Sequence, residues 1–69
     1  MIPIEKLTAL DGIYGVWHFK PYLRVTYVSQ GWLIVWDHRS NPPERYDCKA
    51  PDHSQTCAIA ADKLRELSA

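Results

Sequence analysis

The sequence predicts an α+β fold: a three-stranded antiparallel β-meander, four-stranded if one further segment pairs at its edge, packed by a C-terminal α-helix and preceded by a short N-terminal helix. Three observations carry that prediction. Residues 13–38 fall into three runs rich in aromatic and β-branched side chains, broken by Lys20-Pro21-Tyr22 and by Gln30-Gly31. Residues 52–67 place apolar side chains at helical spacing behind a capping residue. The chain has 69 residues, room for one small domain, whose single hydrophobic cluster contributes a net stability of only ~3–5 kcal/mol.

At the N-terminus, Pro3 suits the first helical position, Ile4, Leu7 and Leu10 follow at helical spacing, and Asp11-Gly12 is a stop, which predicts a helix over 3–10. Strands are expected over 13–19, 23–29 and 32–38. A two-residue turn at Gln30-Gly31 sets Ser29 opposite Trp32, and from there Tyr27 opposite Ile34, Val25 opposite Trp36 and Leu23 opposite His38. The other face then pairs Val28 with Leu33, Thr26 with Val35 and Arg24 with Asp37, the last a match of opposite charges. With a three-residue first turn, Phe19 meets Leu23, and Ile13, Trp17 and Phe19 share a face with Tyr27, Val25, Ile34 and Trp36; a two-residue turn moves them to the opposite face. Ser40-Asn41-Pro42-Pro43 and Ala50-Pro51 bracket a segment from Glu44 to Lys49 that reads as loop or brief edge strand.

The last element is a helix capped by Asp52 or Ser54, with Gln55 at capping-box spacing from Asp52. Cys57, Ala60, Ala61, Leu64 and Leu67 form its apolar stripe, Asp62 and Glu66 lie opposite, and Ile59 falls on the polar side. The small residues in the stripe allow close approach to a sheet. A helix of ~14 residues is about 21 Å long and covers one sheet face, not two. Covering the aromatic face would leave Val28, Leu33 and Val35 exposed beside Arg24 and Thr26; covering the other would expose Tyr27, Trp32, Ile34 and Trp36. Burying three such side chains is worth roughly 5 kcal/mol, so something is expected to cover them. The N-terminal helix, a second copy of the chain and a different protein are the three candidates.

Eight basic residues balance eight acidic ones, so no net field steers the chain toward phosphates or an anionic membrane. No apolar run approaches the ~18 residues of a membrane span, and the start lacks a signal-peptide pattern, so the expected compartment is the cytoplasm, with Cys48 and Cys57 as thiols. Cys48, His53 and Cys57 could bind zinc if His38, Asp47 or Asp52 supplied a fourth ligand, but no closely spaced ligand pair presets the site; a Cys48–Cys57 disulfide is the other alternative to buried thiols. Catalysis is not expected, because so small an interior offers little room to enclose a substrate, and neither a Gly-rich phosphate loop nor a cofactor motif is present.

The expected function is that of a small non-catalytic module, without cofactor or metal, that inhibits or modulates a larger protein through a sheet surface. Motif-free chains of this size often act by occluding another protein, as accessory proteins of phages and mobile elements do. The residues expected at that surface are Arg24, Thr26, Val28, Trp32, Leu33, Val35 and Arg39. Trp17 is expected in the core and Trp32, beside the Gln30-Gly31 turn, outward. The alternative is a sheet that binds DNA or RNA, with Lys20, Arg24, Arg39 and Arg45 contacting phosphates and Trp32 or Trp36 stacking on bases.

Overall fold

A computed structural model describes residues 2–13 and 15–69 of the chain. They form a helix α1 (Ile4–Thr8), strands β1 (Val16–Lys20), β2 (Leu23–Ser29), β3 (Trp32–Asp37) and β4 (Glu44–Lys49), and a helix α2 (His53–Ser68). The strands make one antiparallel sheet in the order β1-β2-β3-β4. The segment from Glu44 to Lys49 is therefore a full edge strand, paired from Trp32–Lys49 to Asp37–Glu44 without a register break.

The second hairpin departs from the expected register. Ser29 does face Trp32 across the Gln30-Gly31 turn, but Val28 is an extra residue, and beyond it the pairs are Tyr27–Leu33, Thr26–Ile34, Val25–Val35, Arg24–Trp36 and Leu23–Asp37. A bulge next to a tight turn shifts every later pair by one, and this one aligns the aliphatic positions of both strands on one face. Leu23, Val25, Leu33 and Val35 consequently lie together beneath α2, each at most 1% exposed. The expected Arg24–Asp37 pair does not form, because the two side chains now belong to opposite faces. In the first hairpin, Pro21 and Tyr22 make a two-residue turn, and the displaced residue is Phe19. Trp17 therefore meets Val25, as a three-residue turn would have placed it, and its ring packs at the margin of the core beside Phe19.

The first strand starts later than expected. Ile13 is 87% exposed rather than part of the apolar face. Tyr14, within the expected strand 13–19, lies outside the described residues. Gly12, at φ +61°, bends the chain here, and Gly15 donates to the Gly12 carbonyl before β1 begins.

The helix α2 lies on β3 and β4, and Asp52 is its cap, accepting from the Ser54 N–H at 3.1 Å. Cys57, Ala60, Ala61 and Leu64 are buried against the sheet, while Ile59 is exposed. The helix α1, shorter than expected with Pro3 as its cap, packs on α2 and adds Ile2, Leu7 and Leu10 to the same core. Both helices thus stack on one side of the sheet. The N-terminal helix does not cover the second face.

Candidate functional site

The face turned away from the helices is an ordered grid. Cross-strand pairing sets His18, Arg24, Trp36 and Arg45 in one row, Val16, Thr26, Ile34 and Asp47 in the next, and Ser29, Trp32 and Lys49 in a third. Strand alternation dictates these rows once the Val28 bulge has fixed the register, because every second side chain points to the same face.

The two indoles converge over the middle row. Trp36 Nε1 donates to Thr26 Oγ1 at 2.9 Å, and Trp32 Nε1 donates to Asp47 Oδ2 at 3.0 Å, one toward each neighbouring strand. Ile34, between them in sequence, is only 5% exposed although it faces away from the core. Cations surround the rings. Lys49 Nζ lies 3.9 Å from the Trp32 ring centre, and the Arg24 and Arg45 guanidinium carbons lie 5.8 and 5.7 Å from that of Trp36.

Asp47 is the acidic member of the grid. Arg45 donates to it through Nε at 2.7 Å and through a second nitrogen at 3.0 Å. The Arg45 hydrogen bonds, with help from the Trp32 indole, hold its carboxyl down at about 2, against the smaller upward push of burial. A carboxylate so held is a poor proton acceptor at neutral pH. Arg24 contrasts with it: its Nε is buried without a hydrogen-bond partner, and neither Arg24 nor Lys49 forms a salt bridge among the described residues.

The chain matches no known protein family, no curated protein and no solved structure. The geometry of the grid and its surroundings therefore carries the functional reading.

Of the residues expected at the surface, Arg24, Thr26 and Trp32 lie on the open face, and Val28 sits beside it at the bulge, 40% exposed. Leu33 and Val35 are fully buried beneath α2 and unavailable to a partner, because the bulge turned them inward. Arg39 lies elsewhere: it holds the buried Asp37 by a salt bridge of 2.8 Å, donates to the Leu67 carbonyl at the end of α2 and stacks on Tyr22. Its hydrogen bonds hold the Asp37 carboxyl below the usual carboxylate range. This is a tie between the end of β3 and the last turn of α2, whose terminal carbonyls have no intrahelical N–H partners.

The open face also contains Trp36, Arg45, Asp47 and Lys49, which the expected site omitted. Their signal was in the sequence, since Arg45, Asp47 and Lys49 alternate along β4 and share a face as soon as that segment is read as a strand.

Of Cys48, His53 and Cys57, the structure brings His53 and Cys57 together without completing a ligand set. Cys57 Sγ lies 3.7 Å from His53 Nε2, Asp52 is engaged as the helix cap, and Asp47 points to the opposite sheet face from Cys48. No group of three or more His, Cys, Asp or Glu side chains placed to hold a metal exists among the described residues. Both cysteines are free thiols inside the core, and burial pushes each above the ordinary thiol range, which keeps them protonated and weakly nucleophilic.

Proposed function

We propose that this chain is a non-catalytic protein-binding module that inhibits or modulates a larger protein through its open sheet face. The observation that carries this reading is the pair Trp32 and Trp36, held by internal hydrogen bonds on a face that no described element covers. Tryptophan and arginine are the residue types that dominate binding energy at protein interfaces, and rings already fixed by their own N–H groups lose little conformational freedom on docking. The free core thiols accord with a reducing compartment such as the cytoplasm. No helix among the described residues is long and apolar enough to cross a membrane.

Capture from a lysate of the organism that makes the chain tests the reading, using immobilised wild type beside Trp36→Ser and, on the far side of the molecule, Ile59→Ser. A protein retained by wild type and by Ile59→Ser but lost with Trp36→Ser is the expected result. Retention lost only with Ile59→Ser moves the binding surface to α2. A second reading, nucleic-acid binding, draws on one observation: Arg24, Arg45 and Lys49 share the face with both rings. Salt separates the two, since phosphate contacts weaken steeply as salt rises and an apolar protein interface does not.

A further inference from the structure

The open face carries Arg24, Arg45 and Lys49 against Asp47 alone, although the whole chain is neutral. Arg45 and Asp47 neutralise one another at 2.7 Å. What remains is a pair of cations without carboxylates, Arg24 on β2 and Lys49 on β4, with the two indoles and Ile34 between them. Strand spacing and rise put their Cα atoms about 17 Å apart on the diagonal, the span of about five residues of extended chain. Arg24 adds a second and independent mark, because its Nε is a buried charged donor with nothing to bind. Its charge is therefore uncompensated among the described residues, and the half-buried side chain leaves part of the guanidinium open to an incoming anion.

Building on the protein-binding reading above, we propose that the open face receives an acidic extended segment of the partner protein, one carboxylate meeting Arg24, another meeting Lys49, and apolar or aromatic side chains resting on Trp32 and Trp36. Single-stranded nucleic acid is the less favoured occupant. Arg24 and Lys49, the two cations left free and about 17 Å apart, are too few and too widely spaced to follow a strand that carries a phosphate at every nucleotide. The same excess of cations opposes a second copy docking face to face, since like charges would meet.

The test is a titration of the isotope-labelled full chain, followed by NMR, with three probes: a capped decapeptide of the repeat Glu-Glu-Tyr-Tyr, in which each face of the extended chain carries both residue types, its analogue with glutamine for glutamate, and a single-stranded thymidine decamer. The expected result is that the acidic peptide shifts the Arg24 side-chain Nε–H signal and the amides of the three rows, and binds about fivefold or more tightly than the glutamine analogue. Arg24→Gln and Lys49→Gln, each exchanging one exposed or half-buried side chain, should each weaken the acidic peptide by about fivefold, while Arg65→Gln on the outer face of α2 leaves it unchanged. Equal binding of the glutamine analogue to the same rows overturns the acidic preference and leaves the protein-docking reading standing. Tighter binding of the thymidine decamer overturns it in favour of nucleic acid. If none of the probes shifts the rows, the proposal fails, and the lysate capture decides separately whether the face docks a protein at all.

Discussion

At the scale of single residues, two positions are fixed by geometry that only one side chain satisfies. Gly31 sits at φ +81°, and a Cβ there would lie 2.6 Å from the Ala50 carbonyl oxygen, which belongs to the segment leading into α2. Gly31→Ala therefore meets both backbone strain and a collision with backbone, and is expected to lower stability by about 2 kcal/mol or more, read as a fall in the urea midpoint with an unchanged slope. Asp37 is the second position. Its carboxyl is held low by Arg39, so the stability it contributes is complete above its ordinary value of 3.8 and is lost as pH falls through the lower folded value. Asp47, held at about 2 by Arg45 and Trp32, behaves in the same sense over the interval from 3.8 down to about 2. Urea unfolding across that interval should show wild-type stability falling with pH, and Asp37→Asn, weaker at neutral pH by about 2 kcal/mol, should show a flatter acid limb. An acid limb as steep in the variant as in wild type would remove Asp37 from that role.

At the scale of elements, Val28 decides which face each strand residue occupies. Deleting it leaves Ser29 facing Trp32 and Tyr27 facing Leu33 with no residue to spare, so the sheet keeps its faces and the variant should fold. Deleting Thr26 instead sends Leu23 and Val25 to the open face, at a cost of about 4 kcal/mol in lost burial, enough to unfold a domain of this size. Circular dichroism and urea unfolding of the two deletions distinguish these outcomes. The same residue explains what could and could not be read in advance. The strand 23–29 and the stripe on α2 are written in local pattern, turn chemistry and helical spacing, and both match the structure, whereas the segment from Glu44 to Lys49, read as loop or brief edge strand, is paired along its whole length. The register is not, because a bulge has no local signature in Val28: it arises from the packing of aliphatic rows under a helix whose Ala60 and Ala61 approach the sheet closely. The site was accordingly half legible. Arg24, Thr26 and Trp32 could be placed outward, but Leu33 and Val35 exchanged sides with Ile34 and Trp36. The lone cross-strand charge match, Arg24 with Asp37, pointed to the wrong register, and Asp37 found its partner two residues away in Arg39.

At the scale of the whole molecule, the described residues arrange two helices on one side of a four-stranded sheet and leave the other side as an open platform. Among the described residues both outer strands have unpaired edges, but β4 carries Glu44, Arg45, Asp47 and Lys49 within six residues, and β1 ends in Lys20 before Pro21, features that discourage edge-to-edge pairing. With Arg24 and Lys49 opposing face-to-face association as well, light scattering across a concentration series should give the mass of a monomer at low and at high salt. A dimer that persists in high salt would mean that a second copy covers the apolar part of the face. The role of the platform is tested most directly by mapping where a protein captured from lysate touches the isotope-labelled chain, by the shifts of its backbone amides. Shifts are expected to concentrate at His18, Arg24, Thr26, Trp32, Ile34, Trp36, Arg45 and Lys49. Shifts concentrated on the outer face of α2, at Ile59, Asp62 and Glu66, would contradict it.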